Sequence, residues 1–174
     1  MKVIGIAFSD LHLGEYSKFN EDNKRTLNHI RVLYLIKDLC IKYKCPAFFC
    51  GDFMHRPEFI STSLDEIIIE QFEELNRCEE FNIYGISGNH DLQKSNTIER
   101  RSSSHWANLC RRYSFLHNID FSYHDFGKFR VVGIPYIDHN NGLDGLIKSE
   151  LKGAMLKPTI LLLHTDYPGA KDTD

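Results

Sequence analysis

Side chains that bind metal ions or move protons occur at four places along the chain, each directly after a short apolar run. They are Asp10 and His12, Asp52, the segment 89–91 (Asn-His-Asp), and His164. Carboxylates, an amide oxygen and imidazoles, with no thiolate among them, favour manganese, iron or zinc over calcium or an iron–sulfur cluster. A pair of such ions can hold a phosphoryl group and activate water for attack on it. The pattern therefore predicts hydrolysis of a phosphate ester at a two-metal site.

The spacing within the first two clusters suits the same chemistry. In an extended chain Asp10 and His12 point to one side, because side chains alternate along a strand. Gly51 allows a tight backbone turn before Asp52, whose two carboxylate oxygens can bridge two cations. Each feature alone has an ordinary alternative, such as a cap, a surface histidine or a turn. Only the joint pattern favours a site.

The segment after the third apolar run offers three different roles. The amide oxygen of Asn89 is a neutral metal ligand. His90 follows it directly and can act as a general acid toward a leaving group. Asp91 is expected to support His90 or a ligand without binding the metal itself.

Apolar strands and amphipathic helices alternate in the first half of the chain. Residues 3–9, 47–50 and 82–87 are short apolar runs that predict buried strands. Two sets of apolar residues recur at helical spacing between them: Val32, Ile36, Leu39, Cys40 and Tyr43, and then Leu64, Ile68, Phe72 and Leu75. This order predicts a parallel α/β sheet, whose sites form beyond the carboxyl ends of the strands.

The second half of the chain does not continue the regular alternation of strands and helices. Its predicted elements are a long polar loop at 92–104, a short helix around Trp106, a hairpin of 120–126 and 129–134, a weak helix at about 143–153, and a strand at 159–163. That last strand ends in His164, so it adds a fourth cluster at a strand end.

The composition fits one globular unit, residues 1–174, without a membrane span. Of the 174 residues 42% are hydrophobic, which is enough for one core. The net charge of -3 gives no overall basic signature, although local positive charge can still bind DNA. No apolar run approaches about 18 residues. Five cysteines without a CxxC pair disfavour a structural zinc site, and we expect a reducing, cytoplasmic setting.

Three motifs resemble, in order and spacing, those of the calcineurin-like metallophosphoesterases: Asp10-Leu11-His12, Gly51-Asp52 and Gly88-Asn89-His90-Asp91. The longer segments 9–14 (SDLHLG) and 51–57 (GDFMHRP), and more weakly 133–136 (GIPY), are similar to the SbcD-like nuclease subunits of DNA repair and recombination, a group with phage members. The resemblance implies an α/β fold of the four-layer α/β/β/α type and two divalent metals. Manganese is the first expectation, with magnesium, iron or zinc as alternatives.

The same resemblance implies a role for each motif residue. Asp10 and His12 would bind the first metal, and Asn89 and His164 the second. Asp52 would bridge the two. His90 would be the general acid, and His55 would help to place a DNA end. The implied reaction is exonucleolytic and endonucleolytic hydrolysis of DNA phosphodiesters.

Basic residues near the motifs are candidate DNA contacts. Arg56, Arg100 and Arg101 are the predicted contacts to the phosphate backbone, and Arg111 and Arg112 extend the cluster. The alternative is a solvated loop and helix face. The resemblance also implies an SbcC-like coiled-coil ATPase partner, a homodimer, and the cytoplasm of a bacterial or phage-infected cell.

One part of the family pattern is not found in these 174 residues. The family motif Gly-His-x-His, which would follow His164 by some tens of residues, does not occur. We therefore expect an incomplete, N-terminal portion of the domain. Two other functions stay open: a phosphoesterase of small molecules or phosphoproteins, which needs no His55, and an inactive subunit that serves as a binding module.

Overall fold

The computed structural model describes residues 2–14, 24–55, 61–92, 104–137 and 157–165, with residues 145, 147 and 149, and it has a mixed α/β architecture. In chain order its elements are β1 (Ile6–Phe8), α1 (Lys24–Tyr43), β2 (Ala47–Phe49), α2 (Thr62–Asn76), β3 (Ile83–Gly85), α3 (His105–Arg112), β4 (Leu116–Asn118), β5 (Ser122–Asp125), β6 (Arg130–Ile134) and β7 (Thr159–Leu163). No helix among these residues is long and apolar enough to cross a membrane.

The first sheet aligns the ends of the strands that precede the polar clusters. Its strands are parallel in the order β1-β2-β3-β4. Phe8 pairs with Phe49, and Phe49 pairs with Gly85, so the first three strands end at the same level. The predicted parallel sheet is therefore confirmed. Strand β4 was not predicted, because only Leu116 of its three residues is buried and the run is too short for a period.

The helices α1, α2 and α3 cover one face of this sheet. Their buried side chains form one core cluster with the sheet, which includes Leu33 of α1, Phe72 of α2 and Trp106 of α3. Trp106 is fully buried and donates a hydrogen bond from Nε1 to the carbonyl oxygen of Gly85, at 3.0 Å. The indole thus joins helix α3 to strand β3.

The apolar face of α1 is rotated relative to the prediction. Its buried residues are Thr26, Ile30, Leu33, Ile36 and Cys40. Val32 and Tyr43, which the spacing had assigned to the buried face, are 42% and 41% exposed. The chain has apolar residues nearly all around this helix, so periodicity alone does not select the face that packs.

The second sheet packs on the other face of the first. The predicted hairpin is confirmed as β5 and β6, which pair antiparallel around Gly127 (φ 80°), and β7 pairs parallel with β6. A second cluster between the sheets joins Phe48, Ile86 and Val131, among others. Strand β7 therefore belongs to a different sheet from β1–β3. Of the predicted helix 143–153, residues 145, 147 and 149 are described and are helical.

Ser104 connects the start of α3 to the segment after β3. Its hydroxyl accepts a hydrogen bond from Ala107 N at 2.9 Å and is hydrogen-bonded to the Ser87 hydroxyl at 2.8 Å, and Ser104 is fully buried. We expect Ser104→Ala to lower the free energy of unfolding by about 1–2 kcal/mol, because a helix cap and a buried partner are lost together. Urea unfolding at equilibrium measures this loss.

The N-cap of α2 is the matched control. Ser61 accepts a hydrogen bond from Leu64 N at 3.3 Å, but it is less buried than Ser104. Ser61→Ala is expected to cost about 0.5–1 kcal/mol. A larger loss at Ser61 than at Ser104 would contradict the importance given to the buried cap.

Candidate metal centre

The segments that follow β1 and β2 run side by side beyond the sheet. Asp10 N donates to Gly51 O and His12 N donates to Asp52 O, each at 3.0 Å. Asp10, His12 and Asp52 all have positive φ angles, of 54°, 46° and 62°. Residues other than glycine adopt this conformation at a cost of about 1–3 kcal/mol, and such residues concentrate at functional sites. The prediction that Asp10 and His12 lie in extended chain is therefore wrong.

The side chains of the first group nevertheless converge. His12 Nε2 lies 3.6 Å from Asp10 Oδ1 and 3.8 Å from Asp52 Oδ2, and one ligand atom from each residue falls within 4.8 Å of the others. Burial lowers the pKa of His12, although the nearby Asp52 carboxylate opposes the shift. A neutral imidazole keeps the lone pair that a metal ligand needs. These three residues fit a divalent cation.

The second group joins the two sheets. His164 follows β7, and its Nδ1 lies 2.7 Å from the carbonyl oxygen of Cys50. A carbonyl only accepts, so Nδ1 carries the hydrogen and the neutral ring has its lone pair on Nε2. That Nε2 lies 2.9 Å from Asn89 Oδ1 and 3.5 Å from Asp52 Oδ2. Three lone-pair atoms that face one another fit a bound cation, and Asp52 is shared with the first group.

Two glycines allow the loops to approach this closely. Gly51 has φ 103°, and a Cβ there would lie 2.5 Å from Nδ1 of His164. A Cβ on Gly88 would overlap the carboxylate and the backbone nitrogen of Asp52. The expected turn at Gly51 is confirmed, and Gly88 permits a contact that its motif alone did not reveal.

The buried side chain of Asp91 holds the backbone of the loop that contains Asp52. Its fully buried carboxylate accepts hydrogen bonds from the backbone nitrogens of Asp52, Phe53, Met54 and Gly88, at 2.9–3.0 Å. Burial raises the pKa of Asp91 to about 6, against the opposing effect of these N–H donors. The residue expected to support a ligand thus holds the backbone of Asp52.

His90 and His55 form a linked pair beside the first group. His90 N donates to Asp52 Oδ1 at 2.9 Å, and His90 Nδ1 lies 2.9 Å from the carbonyl oxygen of His55. By the same argument as for His164, Nδ1 of His90 carries a hydrogen, which leaves Nε2 for a substrate. The two rings are nearly parallel, with centroids 5.8 Å apart.

A polar cleft of about 560 Å³ contains the candidate residues at the carboxyl edge of the first sheet. Asp10, His12, Asp52, Asn89, His90 and His164 all line it. Ser9, Cys50 and Tyr136 line the cleft as well, although the sequence motifs did not assign them a role in the site. The weak similarity at 133–136 was a signal for Tyr136, whereas nothing in the sequence marks the carbonyl of Cys50 as the partner of His164.

The structure describes only some of the basic residues that were predicted to contact DNA. Arg56, Arg100 and Arg101 lie outside the described residues. Arg111 and Arg112 are exposed in the last turn of α3, and neither lines the cleft.

The chain matches one known family. The family model Metallophos, described as calcineurin-like phosphoesterase, matches residues 6–173. No curated protein shows a significant match to this chain. Among solved structures the chain is similar to the Pseudomonas putida nuclease MPE, with 13% identity, a TM-score of 0.42, and coverage of 78% of this chain and 60% of that chain. This chain spans less than two thirds of the length of that nuclease.

Proposed function

The chain belongs to the calcineurin-like phosphoesterase family, and we propose that it is a two-metal, manganese-dependent nuclease subunit that hydrolyses phosphodiester bonds of DNA. The family and the candidate metal ligands support hydrolysis of a phosphate ester. The restriction to DNA, the choice of manganese and the SbcD-like subtype are the proposal.

The position of Asp52 supports a site with two metals. It is 4% exposed, and its Oδ2 lies 3.8 Å from His12 Nε2 and 3.5 Å from His164 Nε2. Asp10 and His12 would hold one ion, and Asn89 and His164 the other, with Asp52 common to both. When bound, the metal ions supply positive charge next to a phosphoryl group and activate water.

The single observation that favours DNA is the position of His55. A general phosphoesterase needs no histidine there, but here the His55 ring lies nearly parallel to the ring of His90, which lines the cleft, with centroids 5.8 Å apart. With Nδ1–H donated to the His55 carbonyl, His90 can give a proton from Nε2 to the leaving oxygen of a nucleotide when the ring is doubly protonated, as imidazolium. The His55 ring can contact the adjacent phosphate. The coiled-coil ATPase, the homodimer and the role in repair or recombination rest on the resemblance of segments 9–14 and 51–57, and more weakly of 133–136, to the SbcD-like subunits.

A comparison of two substrates tests the proposal. With manganese, the protein is expected to degrade linear duplex DNA and to act far less on an aryl phosphate of similar reactivity. Chelation of the metal should abolish both reactions. If only the aryl phosphate is hydrolysed, the family assignment stands and the nuclease proposal fails.

His90→Ala separates catalysis from metal binding. We expect the rate of DNA hydrolysis to fall about 10²–10⁴-fold, because the variant lacks the proton donor for the leaving oxygen. Manganese affinity should change little, because His90 is not one of the proposed ligands. Single-turnover cleavage and calorimetric titration of manganese measure the two effects. A loss of metal together with activity would make His90 a ligand.

A further inference from the structure

Three imidazoles meet next to the proposed two-metal site without belonging to it as a set. His12, His55 and His90 each offer a ligand nitrogen, and these atoms all lie within 4.8 Å of one another. We propose that this histidine cluster is an alternative, inhibitory binding site for Zn²⁺ or a similar nitrogen-preferring cation, which shares His12 with the first metal group. The inhibitory role rests on the proposed function, because it assumes that His12 and His90 act in hydrolysis.

The ring positions suit a tetrahedral ion. A zinc–nitrogen bond is about 2.0–2.1 Å long, so imidazole rings on one tetrahedral zinc have centroids roughly 5 Å apart. The observed separations are 4.9 Å for His12 and His90, 5.7 Å for His12 and His55, and 5.8 Å for His55 and His90. Side-chain movements of up to about 1 Å would bring all three rings to the spacing expected around one zinc ion.

The backbone holds the three rings in place. His55 N donates to Leu13 O at 2.8 Å, and His12 N donates to Asp52 O at 3.0 Å. His90 donates twice, from its backbone nitrogen to Asp52 Oδ1 and from Nδ1 to the His55 carbonyl, each at 2.9 Å. A ring N–H donated to a carbonyl is the usual support of a histidine that binds zinc through its other nitrogen.

The donor set separates this cluster from the proposed manganese sites. Three neutral nitrogens select zinc, copper or nickel, whereas carboxylate and carbonyl oxygens suit manganese. Asp10 and Asp52 lie within 3.8 Å of His12 Nε2 and supply negative charge beside the cluster without completing its nitrogen set.

His12 makes the two kinds of binding exclusive. Its Nδ1 is buried, and its Nε2 faces Asp10 and Asp52. One nitrogen cannot bind two ions, so zinc at the histidine cluster removes a ligand of the first metal. It also occupies the nitrogen of His90 that would donate the proton.

Zinc affinity of the metal-free chain tests the inference without any reaction. Isothermal titration with Zn²⁺ is expected to show a site that His55→Ala weakens by more than about tenfold. Asp10→Asn should leave that site within about threefold, and His124→Ala, which removes a histidine outside the cluster, should do the same. His55→Gln keeps a polar side chain of similar size and guards against a folding defect. Thermal unfolding without metal must match between the variants.

The opposite pattern overturns the inference. Zinc binding that depends on Asp10 and not on His55 would place the ion in the first metal group. Saturating Mn²⁺ should weaken zinc binding about tenfold or more, and an unchanged zinc affinity would refute the shared nitrogen. The zinc titrations use no DNA, so their result does not depend on DNA cleavage. If the protein binds zinc as expected but fails to cleave DNA, the proposed function is refuted and the zinc site stands.

Discussion

Replacing Asp91 with asparagine is expected to lower the free energy of unfolding by about 2–5 kcal/mol. The carboxylate receives backbone N–H donors at both oxygens, two at Oδ1 and two at Oδ2. An asparagine amide accepts on one side only, so two buried donors lose their acceptor and face an NH₂ group, at about 1–3 kcal/mol each. The same donors fix the loop of Asp52, so metal binding should weaken as well. Thermal and urea unfolding in chelator measure the stability.

Asp38→Asn is the matched control for this substitution. Asp38 lies on α1 with a side chain that is 71% exposed, 3.8 Å from Lys37 Nζ. Its amide variant should stay within about 0.5 kcal/mol of the original stability. If Asp91→Asn were as stable as this control, the loop would not depend on the buried carboxylate.

Replacing Asp52 with asparagine is expected to have the largest effect on hydrolysis, a loss of about a thousandfold or more. Loss of the metals removes several kcal/mol of transition-state stabilisation. The variant keeps an oxygen acceptor at Oδ1 for the backbone nitrogen of His90, so the loop geometry should persist. What changes is Oδ2, which faces both His12 and His164. Metal stoichiometry and the rate of phosphodiester cleavage measure the outcome.

Asp10→Asn provides the comparison within the site. Of the two metal groups, Asp10 belongs only to the first, so its variant should lose one metal and keep binding at Asn89 and His164. An Asp52→Asn protein that retains both metals would show that Asp52 does not bridge them.

The sequence was most informative where local patterns carry the signal. Short apolar runs identified β1, β2, β3 and β7, and the register of the first sheet explains why the residues after three of them meet. The sheet to which β7 belongs was not predictable, because a run such as TILLL fits any buried strand and its partner is set by distant residues. His164 therefore reaches the site from the second sheet.

The details of the site needed the structure. The positive φ angles of Asp10, His12 and Asp52 have no sequence signature comparable to glycine, and they arise from loops that pair beyond the sheet. The role of Asp91 depends on four donors from two segments, and only one of them, Gly88, lies beside it in sequence. The histidine cluster likewise joins residues from three separate motifs.

The most direct test of the two-metal assignment is the anomalous scattering of manganese in crystals of this protein grown with Mn²⁺. We expect one peak among Asp10, His12 and Asp52, and a second among Asp52, Asn89 and His164. Manganese bound elsewhere, with no peak at either group, would contradict it.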